Sequence, residues 1–99
     1  MAGGDWKDMF LGVQKNDFEL VRYHILMGID LNYQHPEFLT SALIESIRLQ
    51  HWEMMKYLLD NGAKPDIREA ESCLLPLEIA KLLGDGKACK ILQEYLKDI

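Results

Sequence analysis

The sequence has few cysteines, few basic residues and no long apolar run, and each shortage excludes a class of protein. Two cysteines, Cys73 and Cys89, are too few for the disulfide framework of a small secreted domain. The longest apolar-rich stretch without charge, residues 38–44, is far shorter than the ~20 residues that span a bilayer. Residues 1–8 also lack the basic and apolar segments of a secretion signal. We therefore expect reduced thiols, no membrane segment and a cytoplasmic or nuclear location.

Acidic residues outnumber basic ones, with 16 Asp and Glu against 11 Lys and Arg, which gives a formal net charge of -5. Nucleic-acid binding depends on clustered Lys and Arg, so we expect no nucleic-acid partner. One loose group of lysines is interspersed with acids and is interpreted as a solvated helix face. These are Lys81, Lys87, Lys90 and Lys97. A chain of 99 residues that is 48% hydrophobic has room for one core, and we expect it to fold without a disulfide or a metal.

The chain repeats itself at an offset of 34 residues from one end to the other. Identical residues of the first and second units are Glu19 and Glu53, Tyr23 and Tyr57, Gly28 and Gly62, and Glu37 and Glu71. Identical residues of the second and third units include Leu43 and Leu77, Lys56 and Lys90, and Leu58 and Leu92. A fixed period of this length is typical of architectures in which small units stack to bury a shared core.

Each unit is predicted to contain two short helices. The first helices are expected over residues 5–15, 40–49 and 76–83, and the second helices over residues 18–27, 52–61 and 87–97. In the second helix of the middle unit, Trp52, Met55, Leu58 and Leu59 recur at helical spacing, which predicts a buried face. Glycine follows two of the second helices, at positions 28 and 62, where a left-handed residue can end a helix. Helices this short are marginal in isolation, so contacts between units must stabilise them.

Residues 41–66, SALIESIRLQHWEMMKYLLDNGAKPD, resemble the ankyrin consensus T-P-L-H-x-A-A-x-x-G-H-x-E-V-V-K-x-L-L-x-x-G-A-D-x-N in one register. The second half of this pattern recurs in residues 17–32, and the first half recurs in residues 75–80. The departures are Ala42 at the proline position, Ile44 and Glu78 at the histidine position, and Gln50, Leu39 and Cys73 at two glycine positions.

The resemblance implies an all-α ankyrin-repeat solenoid of three stacked helix-turn-helix units, joined by short finger loops. We expect one domain over residues 1–99, with units of approximately 5–38, 39–72 and 73–99. The period is one residue longer than the 33 usual for the family, which adds a residue to each finger. The alternatives are an unrelated helical bundle or a tetratricopeptide repeat, although the W-x-x-L-G-x-x-Y pattern of the latter is absent.

Polar ends are expected where a stack of repeats stops, because no further unit covers those faces. Gln93 and Lys81 stand in the third unit where the second unit has apolar residues, and His24 stands in the first unit where Leu58 follows later. These substitutions favour a complete domain of three units. The alternative is a domain of a longer protein.

No motif of the sequence predicts an enzyme or a cofactor. Residues 84–87, GDGK, lack the spacing and the following Ser or Thr of a phosphate-binding loop and are interpreted as a turn. His24, His35, His51 and Cys73 lack the close spacing of zinc ligands. Cys73 also lacks a neighbour that would make it a nucleophile. We therefore expect neither a metal nor a small-molecule substrate.

Ankyrin-like proteins bind partner proteins with their fingers and the exposed ends of their first helices, so the resemblance implies a partner-binding surface here. That surface comprises Tyr33, His35, Glu37, Phe38, Thr40, Arg48, Leu49, Arg68, Glu69, Glu71, Leu74 and Leu82. Exposed apolar and aromatic groups mark binding sites, although three members, Phe38, Leu49 and Leu74, are also suited to filling space between units.

Two functions are compatible with the sequence. The first is an adaptor, scaffold or inhibitor that binds another protein, and the second is a structural domain that docks on a longer chain or on its own copy. We expect a monomer more than an oligomer.

The amphipathic pattern of residues 52–61 predicts unequal effects of two substitutions. Leu58→Ala should lower the free energy of unfolding by ~2–5 kcal/mol, because it truncates a buried leucine. Glu53→Ala should change it by less than ~0.5 kcal/mol, because that side chain faces water. Urea denaturation of both variants provides the measurement, and equal effects would reject the assigned facing.

Overall fold

The computed structural model describes residues 3–97 and, within them, six helices and no strand. The helices are α1 (Gly3–Gln14), α2 (Phe18–Leu26), α3 (Ala42–Arg48), α4 (Trp52–Asp60), α5 (Pro76–Leu82) and α6 (Gly86–Leu96). All six predicted helices are confirmed, and their ends lie within two residues of the predicted ones. The all-helical class is therefore confirmed for this range, and it is compatible with an ankyrin-like helical repeat.

The helices form three successive pairs that pack side by side. Contacts join α1 to α2, α3 to α4 and α5 to α6 within pairs, and α1 to α3, α3 to α5 and α4 to α6 between pairs. The turns inside the pairs occupy residues 15–17, 49–51 and 83–85, and the longer connections occupy residues 27–41 and 61–75. Each turn and each connection lies 34 positions after its predecessor, so the sequence period is also a structural period.

The core follows the inward faces of all three pairs. It includes Trp6, Met9, Val13, Val21, Leu43, Ile47, Met54, Met55, Leu58, Ala80, Ile91 and Leu92. The predicted facing of α4 is confirmed at Met55, Leu58 and Leu59, which are buried, while Trp52 is only half-buried. Met54, next to Met55 in the chain, is fully buried as well.

The two ends of the stack differ. Gln93 and Lys81 are exposed, as expected for a polar end of the third unit. His24, in contrast, is buried and lies edge-on to Tyr23 with 5.2 Å between ring centroids. The expectation that His24 makes the first end polar is therefore wrong, because the ring turns into the structure.

Left-handed residues recur with the same period as the helices. After the second helices, φ is 88° at Gly28 and 107° at Gly62. In the turns inside the pairs, φ is 56° at Asn16, 58° at Gln50 and 68° at Gly84. Near the ends of the longer connections, φ is 55° at Leu39 and 65° at Cys73. The predicted conformation of Gly28 and Gly62 is confirmed. Gln50, Leu39 and Cys73 replace family glycines yet keep the backbone that glycine would have, although this conformation costs other residues about 1–2 kcal/mol.

Two glycine substitutions of opposite sign test this backbone. Gln50→Gly should raise the free energy of unfolding by about 0.5–1 kcal/mol, because relief of strain exceeds the added freedom of the unfolded chain. Gly62→Val should lower it by about 1–3 kcal/mol. A β-carbon at Gly62 would meet no atom within 4 Å, so the effect would come from the backbone alone. Chemical denaturation measures both, and shifts of the same sign would contradict the assignment.

Candidate partner-binding surface

The predicted surface divides between two connections and the ends of two helices. We call residues 27–41 the first finger and residues 61–75 the second finger. The first finger holds Tyr33, His35, Glu37, Phe38 and Thr40, and the second finger holds Arg68, Glu69, Glu71 and Leu74. Arg48 ends α3, Leu49 follows it, and Leu82 ends α5.

Aromatic rings organise the first finger against α1. Phe38 lies 5.8 Å from Trp6, 5.2 Å from Phe10 and 5.7 Å from His35, measured between ring centroids. Tyr33 lies 6.2 Å from both Trp6 and His35. Phe38 and Tyr33 nevertheless remain 42% and 45% exposed. Both interpretations of Phe38 therefore apply, since part of its ring packs on the core and the rest faces water.

Glu37 is one of two acidic residues of the first finger, the other being Asp30. Its carboxylate accepts a hydrogen bond from Lys7 Nζ at 3.0 Å, and this bond lowers the pKa of Glu37. The backbone N–H of Glu37 donates to His35 Nδ1 at 3.1 Å. This bond closes a short turn between His35 and Glu37.

Glu69 is the most deeply buried charged group of the surface, with 1% of the residue exposed. Both nitrogens of the Arg48 fork donate to its two carboxylate oxygens, and Ser72 Oγ donates to it at 2.7 Å. Arg48 lowers the pKa of Glu69 to about 2, although burial opposes the shift, and the hydroxyls of Thr40 and Ser72 lower it further. The pair also raises the pKa of Arg48.

Two members of the predicted surface are corrected by their burial. Glu69 is enclosed by its partners, and Thr40 is only 6% exposed. Neither side chain can contact a partner directly. The sequence pattern placed Glu69 on the partner-binding surface and did not reveal its salt bridge, because Arg48 lies 21 positions away along the chain.

Two side-chain amides, which the sequence analysis did not select, tie the fingers together. Asn32 donates to Gly62 O at 3.0 Å and accepts from Lys64 N at 2.8 Å. Gln34 donates to Arg68 O at 2.8 Å and accepts from Ala70 N at 2.7 Å. Asn32 occupies a polar position of the family pattern, which was an available signal, whereas nothing in the sequence singled out Gln34.

Arg68 and Glu71 lie beside this junction. Arg68 donates to Cys73 O at 2.9 Å and lies 3.5 Å from the carboxylate of Glu78. The N–H of Glu71 donates to Leu39 O at 2.9 Å, which places Glu71 next to the first finger. Both side chains are exposed, as predicted, and Leu74 is half-buried.

Exposed leucines mark the ends of α3 and α5. Leu82 is 76% exposed, and Leu49 is 42% exposed. Leu83, the counterpart of Leu49 one period later, is exposed as well. Arg48 precedes Leu49 and reaches Glu69, so the helix end borders the second finger.

A second apolar group lies at the end of α2 and was not predicted. Leu26 and Met27 are 69% and 67% exposed, and Tyr23, on the same helix, is also exposed. One period later these positions hold Asp60, Asn61 and Tyr57, and Tyr57 packs against Phe18 with 5.5 Å between ring centroids. The first unit therefore exposes apolar side chains where the second has polar or covered ones.

Residues 84 and 85 lie in the turn between α5 and α6, whereas residues 86 and 87 begin α6, so the predicted turn is confirmed only for its first half. Among residues 3–97, no three His, Cys, Asp or Glu side chains are grouped so that they could hold a metal ion. In the same range, no helix is long and apolar enough to cross a membrane.

Comparison with curated proteins gives a weak likeness. No family model matches the chain. The chain is 29% identical over 86 residues to a fowlpox virus (strain NVSL) protein that bears the name of an ankyrin repeat protein. The match covers 87% of this chain and 20% of the viral protein, so the chain spans about a fifth of that relative's length. The likeness is to an ankyrin repeat protein, and it is compatible with the helical repeat that the sequence pattern predicts.

The salt bridge between the buried carboxylate of Glu69 and the partly exposed guanidinium of Arg48 predicts a pH dependence of stability. Because the folded-state pKa of Glu69 is about 2, below its ordinary value of 4.5, its charge stabilises the fold above pH 4.5. That contribution is lost as the pH falls through about 2. Glu69→Gln should therefore lower the free energy of unfolding by about 1–3 kcal/mol at neutral pH, and the gap to wild type should narrow below pH 4.5.

Urea denaturation between about pH 7 and about pH 3 measures this gap. Glu71→Gln, on the same finger but exposed, is the matched control and should stay within about 0.5 kcal/mol of wild type. A gap for Glu69→Gln that keeps its full size at the lowest pH would contradict the assigned pair.

Proposed function

We propose that this chain is a single ankyrin-like domain that binds another protein through its fingers and the ends of its first helices. The observation that carries the proposal is the row of exposed leucines at the ends of α3 and α5, namely Leu49, Leu82 and Leu83. The two helices contact each other, and Leu49 and Leu83 are equivalent residues of successive units. Apolar side chains grouped on one surface favour protein association, because their burial is energetically favourable.

The shape and chemistry of this surface suit a protein more than a small molecule. The fingers are fixed to each other by Asn32 and Gln34, so they present a preformed surface. Its exposed groups combine the leucines with Tyr33, Phe38 and Arg68, and aromatic residues and arginine are enriched in protein interfaces. The likeness to an ankyrin repeat protein supports the same class of function, as adaptor, scaffold or inhibitor.

A second candidate function is favoured by the apolar group at the end of α2. This group consists of Tyr23, Leu26 and Met27, which are exposed on α2 and at its end. It therefore belongs to a different helix from the leucines at the ends of α3 and α5. A structural domain that docks on a longer chain or on its own copy would use such a face. This group belongs to the first unit.

A pair of matched double variants distinguishes the two functions. Leu49→Ser with Leu82→Ser removes two exposed apolar side chains from the proposed surface, and Leu26→Ser with Met27→Ser removes two from α2. Each variant should melt close to wild type, because exposed positions tolerate substitution. If the proposal holds, the Leu49 and Leu82 variant should capture at least about tenfold less of the proteins that wild type binds from a cell extract. The reason is that interface energy is concentrated in few residues.

Quantitative mass spectrometry of the captured proteins gives the readout, and sedimentation velocity gives the oligomeric state. If only the Leu26 and Met27 variant loses capture, the binding site lies at the end of α2. A wild-type dimer that this variant converts to monomer would establish self-association. Capture that neither variant alters would contradict both functions.

A further inference from the structure

We propose that the partner presents an arginine side chain to an acid-aromatic patch formed by Tyr33, Glu37, Phe38 and Glu71. This inference rests on the proposed function and specifies the chemistry of the partner. It comes from the placement of two exposed rings and two exposed carboxylates at the junction of the fingers.

The rings of the patch are supported from behind. Phe38 packs on Trp6 and Phe10, which are buried, and Tyr33 meets Trp6 edge to face. The exposed parts of Phe38 and Tyr33 are therefore held in place without a ligand. A guanidinium of the partner that stacks on such a ring gains a cation–π interaction. Because the ring is already held in place, its side chain loses little conformational entropy on binding.

The two carboxylates belong to residues whose backbones adjoin Phe38. Glu37 precedes Phe38 and has 63% of its side chain exposed. Glu71 is exposed, and its backbone bond to Leu39 places it one residue beyond Phe38. Among residues 3–97, the carboxylate of Glu71 makes no salt bridge. A planar guanidinium can donate two parallel hydrogen bonds to a carboxylate while it stacks on a ring, which favours arginine over lysine.

The charges around the patch favour a cation. Three basic side chains of the fingers and their neighbouring helices form salt bridges with acids: Lys7 with Glu37, Arg48 with Glu69 and Arg68 with Glu78. Lys64, also on the second finger, is exposed and forms no salt bridge with the described residues. Asp5 and Asp8 are exposed on α1, the helix that supports the first finger. The chain as a whole carries a net charge of -5. A basic segment of a partner is therefore attracted to this face, and an acidic one is repelled.

Selection from a library of random dodecapeptides displayed on phage tests the inference, because it does not require the partner to be identified first. The immobilised protein should enrich peptides that contain arginine next to an apolar residue. A fluorescently labelled peptide from the enriched set should then lose at least about tenfold in affinity for Glu37→Gln with Glu71→Gln. Replacing its arginine by lysine should also weaken binding, because the paired hydrogen bonds are lost.

A charge-matched control separates local contact from general attraction. Glu19→Gln with Glu94→Gln removes the same charge from exposed positions on α2 and α6 and should leave peptide affinity within about twofold of wild type. Thermal melts of both double variants should match wild type. Equal losses in the two variants would overturn the patch in favour of bulk charge.

The remaining outcomes also decide the question. Enriched peptides that lack arginine and lysine and depend on Leu49 and Leu82 would overturn this inference and leave the proposed function standing. Arginine-containing peptides that bind the Glu37 and Glu71 variant as tightly as wild type would overturn it too. If no peptide is enriched, the inference is wrong, and the capture experiment with the leucine variants still decides the proposed function on its own.

Discussion

The shortness of the helices is the constraint on which the rest of the structure depends. The longest has 12 residues and two have only seven, and helices of this length are marginal in water even with favourable sequences. Each pair must therefore bury its apolar face against the next pair. The contacts of α3 with both α1 and α5 meet this requirement, and they explain why the fully buried side chains are most numerous in the middle unit.

The same constraint extends to the fingers, which have no regular structure of their own within the described chain. Their backbones are satisfied by side chains that reach from one unit to the next, as Asn32 and Gln34 do. Glu69 and Arg48 add a partly buried salt bridge between the second finger and α3. Packing between helices and hydrogen bonds between fingers thus act on the same neighbouring units, so the position of the surface depends on the stacking of the core.

Period and helical spacing were enough to predict the helices, since both are local properties of the sequence. They also predicted the left-handed Gly28 and Gly62, because a helix end followed by glycine is a local signal. The surface was less predictable. Whether Glu69 is solvated or buried depends on Arg48, and whether His24 faces water depends on how the first pair closes. Such facts follow from contacts between distant residues, which a repeat pattern does not encode.

Equivalent positions of the two fingers show how one backbone supports different chemistry. His35 and Glu69 are one period apart, and so are Leu39 and Cys73. The backbone N–H of Leu39 donates to the carbonyl of His35, and that of Cys73 donates to the carbonyl of Glu69. In the first finger, His35 packs its ring against the ring of Trp6. In the second finger the counterpart of Trp6 is Thr40, and the position holds a carboxylate whose charge Arg48 compensates. The second finger is therefore closed by its own salt bridge, while the first keeps partly exposed aromatic rings and is the better suited of the two to contact a partner.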